Sequence, residues 1–237
     1  MNSLSAVLNQ LRMQLTPQQV ADFDRYASRL LEVNVRTNLT STRDRETVYR
    51  RHFVESLALL RVLQDRDLVR SPAIDVGSGA GFPGLPIKIA RTGVDLTLVE
   101  ATGTKARFLE SIVAELDLAG VTVVHARAEE LAHDPAHRGA YRLALARTVA
   151  PLPVLLELTL PFLAIEGVLA TPKGSAAQRE LRESTNALAE LGGAIEAALS
   201  LELPVDGPQQ TVILVRKTGP TPERYPRRPG MPSKRPL

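Results

Sequence analysis

One stretch limits what this chain can fold into: Pro72-Ala-Ile-Asp-Val-Gly-Ser-Gly-Ala-Gly-Phe-Pro-Gly84. Ala73, Ile74 and Val76 suit a strand, and Asp75 is the single acid among them. The run meets Gly77, Gly79, Gly81 and Gly84 and continues into the apolar segment Leu85–Ala90. A strand that stops at glycines and restarts as a helix makes a cradle. Glycine allows positive φ and close approach of a ligand to the backbone, and Pro83 suits a first helical turn. The unpaired N–H groups of the helix start would face the bound group.

Two readings of the glycines are open. Gly79-x-Gly81-x-x-Gly84 matches the dinucleotide fingerprint, which should begin where the strand ends. Here the strand ends at Gly77, and from there the spacing is Gly-x-Gly-x-Gly, with Phe82 where a third dinucleotide glycine would fall. Asp-x-Gly-x-Gly-x-Gly resembles the first motif of S-adenosylmethionine-dependent methyltransferases.

The 237 residues suffice for one large α/β domain with an accessory segment. No uninterrupted apolar run approaches a membrane span, and the N-terminus lacks a secretory pattern, so a soluble, cytoplasmic protein without membrane attachment is expected. The chain has no cysteine. That excludes pyrimidine-C5 methylation through a thiolate, radical methylation on an iron–sulfur cluster, and a cysteine zinc site. Four scattered histidines give no support for a metal site. Charge is uneven: from Arg216 onward seven Lys/Arg stand against Glu223, a net +6, so the rest carries −3 of the total +3. Such a tail suits a polyanionic partner or serves only solubility.

Leu4, Val7, Leu8 and Leu11 fall on one helical face, and Thr16-Pro17-Gln18-Gln19 reads as a capping box opening a second helix. Asn34–Arg45 loses periodicity and reads as a loop, and Val48–Leu63 as a third helix. Beyond the glycines, strand signals at Val94–Val99, Val121–His125, Leu143–Ala146, Gly167–Thr171, Glu196–Leu203 and Thr211–Arg216 follow. Helical patterns at Lys105–Leu116, Leu152–Leu163 and Ser175–Leu191 lie between them, and Pro204–Pro208 reads as a turn. The alternation predicts an α/β fold, a mainly parallel seven-stranded sheet with helices on both faces and an N-terminal helical segment; together with the glycine motif it resembles the Rossmann-like class I S-adenosylmethionine-dependent methyltransferase type. The expected division is a helical segment over 1–70, a cofactor-binding domain over 71–217, and a basic, Pro-rich tail over 218–237.

In such sheets ligands sit at the carboxyl ends of the strands. Glu100 ends the second strand, where a carboxylate can accept both ribose hydroxyls of an adenosine, or cap the next helix; Ala101 and Thr102 would lie along the adenosine. Ala128-Glu129-Glu130 follows the third strand, at an adenine-contacting turn or as a plain helix start. Arg147 ends the fourth strand, suited to a phosphate, a carboxylate or a base face. That position lacks the Asn/Asp-Pro-Pro-aromatic signature of exocyclic-amine methylation, which favours a ring nitrogen or oxygen as acceptor. Lys173 ends the fifth strand, as a substrate or RNA contact or as part of a helix start.

These stretches occur together in an order that resembles the bacterial 16S rRNA guanine-N7 methyltransferases, the glucose-inhibited division protein B family. The resemblance rests on Asn38-Leu-Thr-Ser41, Arg51-His52 with Ser56, Ile74 to Pro86, Lys105-x-Arg107-Phe-Leu109, Ala128-Glu129, Ala146-Arg147, Lys173-Gly174 and the tail from Tyr225. The chain departs at Val33-Asn34-Val35, where the family often has Trp-Asn-Lys, and at Thr104-Lys105, where two basic residues are common. The resemblance implies S-adenosylmethionine as cofactor, with Gly77, Phe82, Glu100, Ala101, Thr102, Ala128, Glu129 and Arg147 lining its pocket. It implies N7 of one guanine in the decoding-region loop of 16S rRNA as acceptor, presented within a small ribosomal subunit particle to a monomeric enzyme. Arg51, His52, Lys173, Arg227 and Arg228 are the candidate RNA contacts. No catalytic base is expected, since N7 carries a lone pair and no proton, and Arg147 is the candidate orienting residue. An NAD-dependent oxidoreductase and a non-catalytic rRNA-binding module on the same fold are the alternatives.

Overall fold

The computed structural model describes residues 8, 9, 11–203 and 209–237. Most of the first expected helix and the turn at 204–208 lie outside them. The capping box forms as expected: Thr16 N–H donates to Gln19 Oε1 at 2.8 Å and Gln19 N–H to Thr16 Oγ1 at 3.2 Å, opening α1 (Pro17–Thr37). This helix runs further than the sequence suggests and ends at Asn38, in left-handed conformation. Asn34, inside the expected loop, is a buried helical residue. Its amide donates to Thr40 O and Thr42 O and accepts from Thr40 N–H, which pins residues 38–44 back onto α1. A single turn, Arg45–Thr47, leads into a π-helical stretch, Val48–Phe53, and then α2 (Val54–Asp65). One extra residue per turn over that stretch turns His52 inward while Arg51 stays exposed.

The rest alternates strand and helix: β1 (Ala73–Val76), α3 (Gly84–Ala90), β2 (Leu96–Glu100), α4 (Gly103–Glu115), β3 (Val121–His125), α5 (Ala128–Leu131), β4 (Tyr141–Leu145), α6 (Leu152–Thr159) and β5 (Leu163–Lys173). Then come α7 (Ala177–Glu183), α8 (Thr185–Leu191), β6 (Gly193–Leu201), β7 (Gln210–Lys217) and α9 (Met231–Lys234). The single helix expected over 175–191 is broken at Ser184, whose hydroxyl donates to Glu180 O. The sheet order is β3-β2-β1-β4-β5-β7-β6. β1 to β5 are parallel, whereas β7 runs antiparallel to both β5 and β6.

Every strand but the edge strand β6 feeds two cores. Ala73 packs with the N-terminal helices, and Ile74 and Val76 pack with α6 on the opposite face. Phe23, Tyr26, Leu30, Phe53 and Leu57 share one cluster with Leu85, Ile87, Leu98 and Phe108, so the helical segment closes one face of the sheet. Burying such side chains contributes about 1.5–3 kcal/mol each. No helix among the described residues is long and apolar enough to cross a membrane.

The tail departs most from expectation. Residues 218–237 are packed down as a strap across the α6 face, with Tyr225 buried and Leu237 against that core. Glu157 of α6, fully buried, accepts from Arg227 Nε at 2.9 Å and Nη2 at 2.6 Å. Arg227, expected to meet RNA, is thus the counter-ion of an internal carboxylate.

Candidate functional site

The strand order reverses between β1 and β4, and the crevice beyond their carboxyl ends is the place for a ligand in this architecture. A cleft of about 310 Å³ lies there. Its walls come from the glycine loop, Glu100 at the end of β2, Arg147–Val149 after β4, and His52 with Thr40 from the N-terminal segment.

Steric demand explains the glycines. Gly77 (φ +71), Gly79 (φ +60) and Gly81 (φ +102) occupy left-handed backbone space. A Cβ on Gly77 would stand 2.8 Å from Val149 Cγ2 across the crevice, whereas one on Gly79 would meet only Gly77 O at 3.9 Å. The loop therefore touches its neighbours at Gly77 and is open at Gly79. A Cβ on Gly84 would lie 2.7 Å from Asp75 Oδ2 and 2.9 Å from Leu98 Cδ2. Gly84 is needed for close helix–strand packing, and Pro83 precedes α3 as its cap instead of lying in its first turn.

Glu100 is buried and aimed. Oε2 accepts from Gly79 N–H at 2.9 Å and Oε1 from Thr102 N–H at 2.7 Å. A carboxylate has about four acceptor sites, so one remains on each oxygen. This arrangement suits a vicinal diol.

The far wall is an aromatic and cationic stack. The Phe82 ring lies 4.5 Å from the His52 ring at 20° and 5.5 Å from Tyr26 at 19°, with the Arg147 guanidinium 5.2 Å from its centroid. Tyr26 also donates to Ala80 O at 2.5 Å, so one side chain of α1 props both the loop and its aromatic wall. Arg147 Nη1 pairs with Glu55 Oε2 at 2.8 Å and donates to Arg51 O at 3.2 Å, and Nη2 donates to His52 Nδ1 at 2.9 Å. Burial lowers the guanidinium pKa and Glu55 opposes that, so it stays charged. Because guanidinium only donates, His52 Nδ1 is the acceptor and Nε2 carries the proton toward Thr42 Oγ1, 3.0 Å away.

Of the residues expected around the cofactor, Gly77, Phe82, Glu100 and Arg147 line this cleft together. Ala101 and Thr102 follow directly from Glu100 and are exposed, and Ala128 and Glu129 stand at the end of the next strand outward. Of the expected RNA contacts, His52 is a cleft wall and Arg51 and Arg228 are exposed. Lys173 is not on the rim. Its ammonium donates to Ala150 O at 2.6 Å and pairs with Glu180 at 3.0 Å, with only 10% of the side chain exposed. In place of an RNA contact, Lys173 and Arg227 each balance an internal carboxylate. Glu55 and Tyr26 were missed; both sit on helical faces whose pattern says only core. No group of three or more His/Cys/Asp/Glu among the described residues could hold a metal.

Asp75 lies beneath the loop, fully buried. Oδ2 accepts from Gly84 N–H at 2.9 Å, and Oδ1 has no partner among the described residues. Burial pushes its carboxyl up to about 7, against the Gly84 hydrogen bond. Burial, with Arg147 and Arg51, pushes His52 down to about 3. The two act oppositely on stability. The Asp75 contribution is complete below its ordinary 3.8 and is lost as pH rises through about 7. The His52 contribution is complete above its ordinary 6.5 and is lost as pH falls through about 3. Between those ordinary values the slopes offset. Asp75→Asn is therefore expected to make stability fall more steeply on acidification over that window than in the wild type, read as urea midpoints. Parallel curves would show that Asp75 does not titrate there.

Comparisons with known proteins bear on the family and the fold. The family described as rRNA small subunit methyltransferase G (GidB) matches residues 19–203. That match covers most of the chain. The chain belongs to the rRNA small subunit methyltransferase G family. Among its relatives, the ribosomal RNA small subunit methyltransferase G of Roseiflexus castenholzii is 43% identical over 238 residues, covering 100% of both chains. The protein of that name from Leuconostoc citreum is 41% identical, covering 98% of this chain and 97% of its own. Among solved structures, a mutant of MtNAS in complex with S-adenosylmethionine aligns with TM-score 0.57 at 16% identity, over 84% of this chain and 73% of that one. M. jannaschii TYW2 in complex with AdoMet aligns with TM-score 0.50 at 13% identity, over 67% and 74%. At those identities the structures speak for the fold alone.

Proposed function

We propose that this chain binds S-adenosylmethionine in the β1/β4 cleft and transfers its methyl group to N7 of a guanine in 16S rRNA, within a small ribosomal subunit particle. The observation that carries the choice of acceptor is that neither the histidine nor the carboxylate lining the cleft is free to take a proton. His52 Nδ1 already accepts from Arg147. Both Glu100 oxygens already accept backbone N–H groups, and in this reading the acceptor site left on each is taken by the ribose. An acceptor that must first lose a proton has no base here, whereas guanine N7 has an in-plane lone pair and nothing to remove.

The residues fit the cofactor. Glu100 has acceptor sites left for a ribose, Gly79 leaves open space, and Asp75 Oδ1 is an unpartnered buried oxygen beneath the loop. When bound, S-adenosylmethionine supplies an electrophilic methyl group on a sulfonium. The protein's own contribution is alignment, which can be worth roughly 7–11 kcal/mol of barrier. The Phe82–His52 stack and the fixed Arg147 form a wall that does not reorganise, and a neutral His52 adds no second positive charge beside a base becoming cationic. Unmethylated small subunits incubated with labelled S-adenosylmethionine should yield 7-methylguanine, mapped by borohydride and aniline cleavage. Label at any other atom overturns this reading.

RNA affinity is assigned to cations that the fold leaves exposed. Arg51, Arg228, Lys234 and Arg235 have side chains without an ion-pair partner among the described residues. Replacing Arg228, Lys234 and Arg235 with Gln should flatten the log–log salt dependence of rRNA binding by about 2, at about 0.7 per single-strand phosphate contact. Cofactor binding should be unaltered. Deleting the whole strap would be a poorer test, because it strips the partner from buried Glu157. An unchanged slope removes those three residues from the interface.

A further inference from the structure

The strap is fastened at several points, and one of its contacts reaches the carboxyl end of β3, beside the cleft. Arg138 donates to Thr221 O at 2.9 Å, Pro222 O at 3.1 Å and Tyr225 O at 2.9 Å. His133 Nε2 lies 2.8 Å from Pro226 O, and Glu157 holds both the backbone N–H of Arg227, at 2.7 Å, and its guanidinium. The chain then turns at Gly230 (φ +81), and Gly230 N–H donates to Glu129 Oε1 at 3.1 Å. Glu129 Oε2 has no partner among the described residues.

Glu129 lies in α5, directly after β3. β3 pairs with β2 in register, Glu100 opposite His125. If Glu100 takes the ribose, the next strand end outward is where the attached base arrives. We propose that the strap is a positioning element for adenine. By holding Oε1, Gly230 N–H fixes the Glu129 carboxylate so that Oε2 accepts from the exocyclic amine of the base. The inference rests on the S-adenosylmethionine reading of the cleft. A glutamate has three side-chain torsions to order, and fixing them before the ligand arrives removes that cost from binding. The backbone N–H also holds the carboxylate without bringing in a competing charge. The strap thus carries exposed cations on its outside and a selectivity contact at its end.

The test is the affinity of the full chain and of three variants for S-adenosylhomocysteine, against the analogue with hypoxanthine in place of adenine. In that analogue a carbonyl replaces the amine, so it opposes an oxygen to Glu129 Oε2. The variants are Glu129→Gln, Gly230→Pro, which removes the N–H and also forces the turn away from its φ of +81, and a chain ending at Pro229, which keeps the Arg227–Glu157 anchor. Calorimetry is expected to show a strong wild-type preference for adenine. Gly230→Pro and the shortened chain should each reduce that ratio about tenfold. Glu129→Gln, which keeps an acceptor for Gly230 but can place an amide N–H₂ toward the base, should reduce it at least as much. Shortening the Glu129→Gln chain should cause no further drop. If the ratio holds in both strap variants, the inference is overturned, even if both affinities fall together, because that is what loosened packing alone would do. Failure of the wild type to bind either compound would instead remove the cofactor reading.

Discussion

Arg147→Ala is expected to destabilise the protein by about 3–5 kcal/mol and to abolish detectable methyl transfer. Only 9% of the Arg147 side chain and 13% of the Glu55 side chain are exposed. Removing the guanidinium leaves Glu55 with Gln210 Nε2 at 2.8 Å as its remaining partner, and leaves a carboxylate in a site that was built neutral. His52 loses its donor and Phe82 its cation. Arg147→Lys should rescue little, because one ammonium cannot reach Glu55, the Arg51 carbonyl and His52 in the same plane. Stability and function separate in a double variant. Arg147→Met with Glu55→Leu removes both charges, and most of the lost stability should return in urea denaturation, since replacing a buried pair by apolar residues is often neutral. Methyl transfer should not return, because the wall no longer presents a fixed cation. A double variant with wild-type turnover would confine Arg147 to a structural role.

The contrast between Arg147 and Lys173 shows what a sequence can and cannot disclose about such a site. Both are cations at the end of a parallel strand, and both look like rim residues. Arg147 faces the cleft because the π-helical stretch brings His52 and Glu55 to meet it, from more than 90 positions away in the chain. Lys173 is claimed by Glu180, one turn into the following helix, which also accepts from Leu152 N–H. The pairing of Arg227 with Glu157, 70 residues apart, is equally invisible, so nothing in the sequence shows that the basic tail is fastened down. Features set by short-range pattern were legible: the glycine loop, the Thr16–Gln19 capping box, Val121–His125 as β3, and Glu100 at the carboxyl end of β2. Features set by tertiary pairing were not. The break at Ser184 carries no Gly or Pro to announce it, and nothing local shows that β7 reverses direction.

Gly81→Ala should be the most damaging single methyl in the loop, and Gly79→Ala the most informative. At φ +102 an alanine at position 81 is strained before any contact is considered, at about 1–3 kcal/mol. Its Cβ would stand 2.5 Å from both Leu85 Cδ1 and the Tyr26 hydroxyl. Leu85 is fully buried in the face beneath the sheet and has little room to retreat. If Tyr26 yields, its buried hydroxyl leaves Ala80 O, adding about 1–3 kcal/mol for the unmade hydrogen bond. The combined loss is about 2–6 kcal/mol, and it reaches function because the Tyr26 ring also supports Phe82. Thermal denaturation should show a large drop, and the remaining folded protein should bind S-adenosylmethionine poorly. Gly79→Ala differs in kind. Its φ of +60 is the left-handed well that alanine enters for about 1–2 kcal/mol, and its Cβ would meet nothing closer than Gly77 O at 3.9 Å. The fold should therefore survive while the methyl group narrows the cleft that Gly79 lines. Calorimetry should find S-adenosylmethionine affinity reduced at least tenfold in a protein that melts within a few degrees of the wild type. Unchanged affinity in Gly79→Ala would mean that the open side of the loop is not where the cofactor lies, and the cleft would lose its assignment.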